Sequence, residues 1–406
     1  MSDNQPLRGI KVCDFAAGIA GPYASMMLAQ YGADVVKVEA VDGDWIRNTG
    51  GRLKGDHGAQ SLVTARGKRS LAINLKHPKG HEIALKLAAG ADIVTESFRP
   101  GVIKRLGLDY PTVKKVNPKV IYLSVSGFGQ SGPHAQRAAM DLILQAFSGL
   151  MSVTIDTSNQ PIRVGISIVD YLTGLYALQA TMAALIARSV GSSGEHLDIS
   201  LMQAALAPQA AQLIRQHVSG HQPHAFGMPV GTFRAKDGYV TISGAKPEHF
   251  IQTCDLLDRE DIKNHPQFAS HQDRIANAKK INSMMQETII GQTCEYWVDA
   301  FNKTGLMCAK VNNYDDVLND EHCQLTNSFT WIEQAGVGKI PVVNPPGPAI
   351  LKTNDSRGHA PNIGEHSSAV LEELGYSQTE IKVFSEAGVV NLGLKSTNYG
   401  SERRDL

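Results

Sequence analysis

Short apolar segments alternate with helical patterns along the first third of the chain, and no other feature limits the possible folds as strongly. A glycine-containing turn and the helical pattern YASMMLAQYG separate the first two segments, and the alternation continues beyond them. Strands that alternate with helices indicate βαβ units and a parallel sheet. We therefore predict an α/β fold with a Rossmann-like, mostly parallel sheet. The predicted strands are GIKVCDF, ADVVKVE, RSLAINL, ADIVTE and VIYLSVS.

Three loops follow predicted strands directly, namely Ala17–Pro22, Glu96–Gly101 and Ser126–Pro133. In an open parallel sheet, ligands bind at the carboxyl ends of the strands. We expect the functional side chains on these loops or beside them.

The periodicity of helices and strands disappears around HVSGHQPHAFGMPVG, which indicates a boundary between domains. We assign residues 1–216 to a large domain, 217–232 to a linker and 233–330 to a smaller α+β domain. The smaller domain opens with a hairpin that turns at Asp237-Gly238. Residues 331–406 contain an extended linker, PVVNPPGPA, and a C-terminal segment with two short amphipathic helices.

The charge balance argues against a bulk electrostatic attraction to polyanions. Lys plus Arg and Asp plus Glu both number 39, so the formal net charge is zero, and we predict no binding to nucleic acid or to a membrane surface. The N-terminal MSDNQPLRGIKV lacks the pattern of a signal peptide. The five scattered cysteines are typical of reduced thiols, so we expect a cytoplasmic protein.

Two glycine patterns suggest nucleotide binding to different degrees. The segment SGFGQSGP has GxGxxG spacing after a strand, but Pro133 delays the helix that would receive a pyrophosphate. A turn with close backbone approach is therefore favoured there. The first βαβ unit, with Gly18, Gly21 and Glu39, is the better candidate, although it lacks the full dinucleotide fingerprint.

Histidines and basic residues form two further clusters. His217, His221 and His224 lie close together, but their segment lacks a fourth ligand, so solvated histidines are favoured and no metal site is predicted. The basic cluster RGKRS, residues 66–70, together with Lys76, Arg99 and Arg105, fits either a solvated surface or a phosphate-binding site near the βα loops. The GxSxG, HExxH and GxxxxGK motifs of common hydrolases and NTPases are absent from the sequence.

A carboxylate, Asp170, interrupts the apolar stretch from Val164 to Arg188. Polar residues within the stretch argue against a membrane span, so we interpret Tyr171–Arg188 as a long buried helix. Asp170 then has three candidate roles: it caps the helix N-terminus, pairs with a buried arginine, or acts as a nucleophile. With a reference pKa of about 3.9, it is expected to be ionised at pH 7 without a general base.

Several blocks of the sequence, in a fixed order from about Leu7 to Val390, resemble the class III coenzyme A transferases. This family includes the formyl-CoA:oxalate and carnitine CoA transferases. Each block is weak alone, and their number and order identify the chain as a member of the family. The blocks are GIKVCDFAAGIAGPYASMMLAQYGADVVKVE, RGKRSLAINLK, ADIVTESFRPGVIKRLGLDY, SGFGQSGP, DLILQAFSGL, VDYLTGLYA, GTFRAKDGYV and PNIGEHSSAVLEELGY.

The resemblance implies that Asp170 is the catalytic nucleophile. In this family the aspartate attacks an acyl-CoA thioester to give a mixed anhydride and free CoA thiolate, and an aspartyl-CoA thioester links the two half-reactions. The exchanged acids are expected to be small carboxylic acids, with dicarboxylic acids preferred. Coenzyme A and acyl-CoA are then substrates, and no tightly bound cofactor is expected.

The resemblance also implies a set of contacts to CoA, which is polyanionic and carries an adenine. Basic side chains beside aromatic or apolar ones are what its recognition requires. The family architecture further implies that the C-terminal segment returns to the large domain, that roughly 225–330 forms the small domain, and that two ring-like chains interlock as a homodimer. The implied contacts are Ile19 and Ala20 along the pantetheine end, and Lys76, Phe98, Arg99 and Arg105.

Some positions depart from the family pattern. Ala40 follows the second strand where some members have an adenine-stacking arginine, and SGHQPHAFGMP lacks the glycine run of formyl-CoA transferases. Met140-Asp141 matches the His-Asp pair of the related α-methylacyl-CoA racemases, and methionine cannot act as a base. A racemase or isomerase, and a non-catalytic CoA-binding protein, remain as alternatives to a CoA transferase.

Overall fold

A computed structural model defines the structure of the chain, whose described residues form two compact units. One unit is built from residues up to 210 together with those from 327 onwards, and the other from residues 211–326. The domain limits inferred from the sequence stay predictions. The described residues are 5–51, 53–156, 158–220, 227–244 and 246–393.

The strands of the described chain form a seven-stranded sheet, a three-stranded sheet and a two-stranded hairpin. They are β1 (Lys11–Asp14), β2 (Asp34–Glu39), β3 (Arg69–Ile73), β4 (Ile93–Glu96), β5 (Ile121–Ser126), β6 (His196–Ser200), β7 (Val230–Arg234), β8 (Tyr239–Ser243), β9 (Met307–Lys310), β10 (Phe329–Gln334), β11 (Gly338–Val343) and β12 (Val390–Asn391).

The large sheet has the strand order β12-β3-β2-β1-β4-β5-β6. Strands β1 to β6 are parallel, and β12 joins the edge antiparallel to β3. Every residue of β4 and β5 is buried, which is typical of central strands covered on both faces. The predicted mixed α/β fold with a mostly parallel sheet is confirmed.

Helices connect the successive parallel strands, as right-handed βαβ connections require. In chain order the α-helices are α1 (Ala20–Gln30), α2 (Ala59–Thr64), α3 (Pro78–Ala89), α4 (Val102–Arg105), α5 (Tyr110–Val116), α6 (Asp141–Phe147), α7 (Leu150–Val153), α8 (Ile168–Ser189), α9 (Leu201–Leu206), α10 (Ala210–Ser219), α11 (Pro247–Leu256), α12 (Glu260–Lys263), α13 (His271–Ala276), α14 (Ala278–Ile289), α15 (Cys294–Lys303), α16 (Tyr314–Asn319), α17 (Glu321–Leu325), α18 (Ser367–Glu373) and α19 (Gln378–Glu386).

Helix α8 packs one face closely against α1. A Cβ added to Gly174 would lie 2.9 Å from the Ala20 carbonyl oxygen and 2.8 Å from the Tyr23 ring, so only glycine allows this approach of the two helices. The opposite face of α8 is exposed, and Ile186 is 65% exposed. The prediction of a buried helix is therefore wrong for half of its surface. By length and composition alone, α8 could cross a membrane, but a core helix meets the same criteria.

The second unit contains the antiparallel strands β7, β8 and β9 and the helices α11 to α17. The Ala235 N–H donates to the Gly238 carbonyl at 2.9 Å, which closes the β7–β8 hairpin and confirms the predicted turn. Buried aromatic side chains, including Phe233, Phe250 and Phe301, form the core of this unit.

The C-terminal part of the chain differs from the prediction in two places. Residues 341–343 of the expected extended linker pair with β10 as part of β11, and Val342 is buried. The two predicted helices are confirmed as α18 and α19, and β12 follows them. A strand as short as β12 has no periodicity that a sequence pattern could reveal.

Candidate active site

Two cavities lie at the carboxyl edge of the large sheet, and all three predicted loops contribute to them. The first cavity, of 660 Å³, lies beside the ends of β1, β2 and β3. The second, of 700 Å³, lies between the end of β5 and the N-termini of α1, α6 and α8. Ala17, Trp45 and Phe98 line both cavities and form a neck between them.

Asp170 lines the second cavity from the first turn of α8. It is partly buried, and no donor to its carboxylate is found among the described residues. Two of the expected roles are therefore wrong. Asp170 is not the N-cap, because α8 begins two residues earlier at Ile168 with Ser167 in the cap position, and it pairs with no arginine in the described part of the chain.

The N-terminus of α8 is capped instead by Asp141, the first residue of α6. One oxygen of its carboxylate accepts the Val169 N–H at 2.7 Å and the Asp170 N–H at 3.2 Å. The other oxygen accepts the Gln145 side-chain amide at 2.5 Å. Sequence reasoning missed this role, although the Met140-Asp141 match to the racemase pair marked the position.

The electrostatics of the site differ from the expectation of a fully ionised Asp170. Burial first, and then the negative charge of Asp141, raise the pKa of Asp170 to about 7. The helix N-terminus favours the charged form, but the loss of solvation outweighs it. The Asp170 carboxylate is therefore more basic than that of a free aspartate, and it is protonated more readily near pH 7.

We expect Asp141→Asn to lower the pKa of Asp170, because the substitution removes the neighbouring negative charge. The asparagine side chain keeps an oxygen that can accept hydrogen bonds from the helix N–H groups. The measurement is the rate of covalent modification of Asp170 by an acyl-CoA as a function of pH. The wild-type rate should rise with a midpoint near 7, and the variant midpoint should be lower. An unchanged or higher midpoint would contradict the proposed influence of Asp141.

The N-terminus of α1 and the residue before it supply free backbone N–H groups to the second cavity. The Ala17 N–H donates to Ser97 Oγ at 2.9 Å, and the Gly18 N–H donates to the Asp44 carboxylate, so neither is available. The N–H groups of Ile19, Ala20 and Gly21 have no acceptor among the described residues, and α1 has no side-chain cap. These N–H groups can stabilise negative charge that develops on a bound substrate.

A buried ion pair fixes the loop before α1. Lys37 Nζ donates to the Asp44 carboxylate at 2.8 Å and to the Ala16 carbonyl at 3.0 Å. Asp44 in turn accepts the Gly18 N–H and caps the short helix Trp45–Asn48. Because Lys37 and Asp44 are both buried, they fix the backbone of this loop and the start of the short helix that carries Trp45.

The first βαβ unit contributes to the first cavity, but the carboxylate of Glu39 is already occupied. It accepts hydrogen bonds from the Arg47 guanidinium at 2.8 Å, from Ser70 Oγ at 2.6 Å and from the Asp44 N–H at 2.9 Å. Glu39 is therefore not available to bind a ribose in the way that a dinucleotide site uses its acidic residue.

Within the basic cluster, the residues of RGKRS are engaged by the fold itself, and of its cations only Arg69 lies on the surface. Arg66 is buried and donates to a backbone carbonyl of β11 at 2.8 Å. Lys68 is buried against Asp14 at 2.8 Å, and Arg69 pairs with Asp34 on the surface at 2.7 Å. Lys68 and Arg69 thus pair with carboxylates of the fold and Arg66 with a backbone carbonyl, and none of the three lines either cavity.

The residues matched to CoA contacts divide between the two cavities. Lys76 lines the first cavity and Phe98 lines the neck. Arg99, Ile19 and Ala20 line the second cavity. Arg105 lies at the end of α4 with its guanidinium near Gly101, and it lines neither cavity.

The other motifs contribute little chemistry. In SGFGQSGP, Gly129 and Gly132 have positive φ values of 90° and 89°, as the predicted turn requires. His217 lies in α10, and His221 and His224 fall outside the described residues. Within the described part of the chain, no group of three or more metal-ligating side chains is present.

The chain matches the family described as CoA-transferase family III over residues 7–367. It is 32% identical to the succinyl-CoA:glutarate CoA-transferase of Homo sapiens, over 96% of this chain and 91% of the human protein. It is 31% identical to the succinate–glutarate CoA-transferase of Agrobacterium fabrum, over 91% of this chain and 96% of that protein. A CAIB/BAIF family protein from Brucella suis has a similar structure, with a TM-score of 0.82 and 31% identity over 91% of this chain and 100% of that one.

Proposed function

This chain belongs to CoA-transferase family III, and we propose that it moves coenzyme A between an acyl-CoA donor and a small carboxylic acid through covalent intermediates on Asp170. One observation carries the proposal. Asp170 presents a carboxylate without a hydrogen-bond donor, among the described residues, to a cavity of 700 Å³. Dicarboxylic acids are the proposed substrates, as in the names of the human and Agrobacterium relatives.

In the first half-reaction, an oxygen of Asp170 attacks the thioester carbon of the donor. A carbon–oxygen bond forms, the carbon–sulfur bond breaks, and CoA leaves as a thiolate, which gives a mixed anhydride. The thiolate then attacks the Asp170 carbonyl carbon, so that the donor acid leaves as a carboxylate and an aspartyl-CoA thioester remains. No proton is transferred in either step, and the raised pKa of Asp170 makes its ionised form a better nucleophile.

The second half-reaction reverses these steps with the acceptor acid. The acceptor carboxylate attacks the aspartyl thioester, CoA leaves as a thiolate, and a second mixed anhydride forms. The thiolate attacks the acceptor acyl carbon, which gives the product acyl-CoA and regenerates the Asp170 carboxylate. In each tetrahedral intermediate, the N–H groups of Ile19, Ala20 and Gly21 are proposed to bind the oxyanion.

The two cavities provide a path for CoA. We assign the nucleotide end to the first cavity, where Lys76 supplies positive charge and Phe98 an apolar ring. The pantetheine arm then passes Trp45 at the neck and brings the thioester to Asp170 in the second cavity. Arg99 is proposed to contact CoA in the second cavity. Arg105 lines neither cavity, so its proposed contact with CoA lies outside both of them.

We also propose a homodimer in the cytoplasm. Exposed apolar side chains on the neighbouring helices α6 and α8 support an interface between copies, because exposed apolar surface marks interaction sites. Size-exclusion chromatography with light scattering tests the homodimer, and a monomer at micromolar concentration would contradict it. The exposed residues are Leu142, Ile143, Phe147, Leu175, Tyr176 and Ile186.

An isotope-exchange assay tests the proposed function. The enzyme is incubated with succinyl-CoA and ¹³C-labelled glutarate in D₂O, and the thioesters are analysed by mass spectrometry. We expect labelled glutaryl-CoA without deuterium at the α-carbon. Deuterium incorporation without transfer would indicate a racemase, and CoA binding without either reaction would indicate a binding protein. The Asp170 cavity has no histidine among the described residues that line it, which argues against the racemase.

A further inference from the structure

Arg163 is a charged residue of the Asp170 cavity that the proposed mechanism does not use. It is exposed and lines the second cavity together with Asp170, Leu142 and Ile143. The other cation in that lining is Arg99, which follows Phe98 at the neck and is already proposed to contact CoA. Within the described residues, the Arg163 guanidinium has no hydrogen bond, ion pair or ring contact.

A hydrogen-bond network ties the backbone next to Arg163 to the nucleophile. The Val164 N–H donates to Gln145 Oε1 at 2.9 Å, and Gln145 Nε2 donates to Asp141 at 2.5 Å. Asp141 then accepts the Asp170 N–H. One glutamine side chain therefore connects the backbone beside Arg163 with the carboxylate that caps α8. These hydrogen bonds fix the position of the Arg163 segment relative to Asp170.

We propose that Arg163 binds the distal carboxylate of a dicarboxylic acid whose other carboxylate reacts at Asp170. This inference rests on the proposed function and names the residue that selects its substrate. A second carboxylate in a cavity that already contains Asp141 and Asp170 is repelled unless a cation faces it. A guanidinium without a protein partner can bind a carboxylate with two parallel hydrogen bonds, and the neighbouring apolar side chains accommodate the methylene chain between the two acid groups.

The test compares dicarboxylic and monocarboxylic acceptors of similar length. For Arg163→Met, we expect the ratio of kcat/KM for glutarate to that for butyrate to fall roughly 10- to 100-fold, mainly through a higher KM for glutarate. Arg163→Lys, which keeps the charge but not the planar fork, should restore part of the ratio. Arg8→Met removes an exposed arginine outside both cavities and serves as the matched control.

The outcomes separate this inference from the proposed function. If wild-type enzyme transfers CoA to glutarate and Arg163→Met keeps the same glutarate-to-butyrate ratio, the role of Arg163 is wrong and the CoA-transferase function stands. A wild-type enzyme that prefers butyrate also overturns the inference. If wild-type enzyme transfers CoA to no acid, the proposed function itself fails.

Discussion

Asp170→Asn is expected to lower the rate of CoA transfer by about three orders of magnitude or more, because an amide oxygen cannot replace the carboxylate as nucleophile. The fold and the CoA site should remain. Among the described residues, no donor bonds to the Asp170 carboxylate, so the substitution breaks no hydrogen bond of this side chain. Asparagine has the same size as aspartate, and its backbone N–H can still donate to Asp141. The measurements are steady-state turnover with succinyl-CoA and glutarate, and CoA binding by isothermal titration calorimetry.

Asp170→Glu is the matched control for this variant. It retains a carboxylate but moves it by one methylene group, so we expect a smaller loss, on the order of 100-fold, from misplacement of the nucleophile. Both variants should bind CoA within about threefold of the wild type, since Asp170 does not contact the nucleotide end. Ordinary turnover by Asp170→Asn would refute a covalent mechanism on this residue.

The raised pKa of Asp170 also makes a prediction about stability. Folding raises this pKa from an ordinary value of 3.8 to about 7, so the folded state holds a proton that the unfolded state has lost between these pH values. Stability of the wild type therefore falls as the pH rises through this window. Asp170→Asn should be as stable as the wild type near pH 4 and roughly 1–3 kcal/mol more stable at pH 8, because partial exposure of Asp170 to solvent weakens the effect of burial.

The second large effect is expected at Asp14, which ends β1 beneath the site. Its carboxylate accepts hydrogen bonds from Lys68 Nζ at 2.8 Å, Ser25 Oγ at 2.6 Å and the Ala16 N–H at 3.0 Å, and all of these partners are buried. Burial lowers the pKa of Lys68 to about 8, so the lysine is mostly charged at pH 7. Asp14→Ala leaves that buried charge without its anion.

We expect Asp14→Ala to lower the free energy of unfolding of the larger unit by about 3–5 kcal/mol, as removal of one partner from a buried ion pair does. Asp34→Ala is the matched control, because Asp34 pairs with Arg69 on the surface and its loss should change the free energy by at most about 1 kcal/mol. Urea unfolding followed by circular dichroism measures both. Equal effects of the two substitutions would contradict the structural role of Asp14.

The sequence predicted the parts of the fold that local patterns determine. Each predicted apolar segment of the first third contains one of the strands β1 to β5, and the two helices predicted for the C-terminal segment are present as α18 and α19. Local patterns do not show where α6 ends, because Gly149, with a φ of 85°, separates it from α7. The strand β12 was missed because two residues form a strand only when an existing sheet edge supplies their partners.

The site was predicted in part, for a physical reason. Asp170 was singled out because a carboxylate is conspicuous in an apolar stretch, and the structure places it at the second cavity. The sequence suggested Asp170 as the cap of α8. The carboxylate that accepts the first N–H groups of this helix is that of Asp141, which lies 28 residues before Val169 in the chain. The same limit applies to the buried cations: sequence spacing does not reveal that Lys68 faces Asp14 and that Lys37 faces Asp44. Tertiary pairing decides which charged residues are free to bind a ligand.

The most direct test of the central claim is the mass of the intact protein after rapid mixing with succinyl-CoA and acid quench, followed by peptide mapping. The covalent mechanism predicts a wild-type adduct with the mass of a succinyl or CoA group on the peptide that contains Asp170, and no adduct on Asp170→Asn. Wild-type enzyme that transfers CoA rapidly without any such adduct, or an adduct that persists in the asparagine variant, would contradict it.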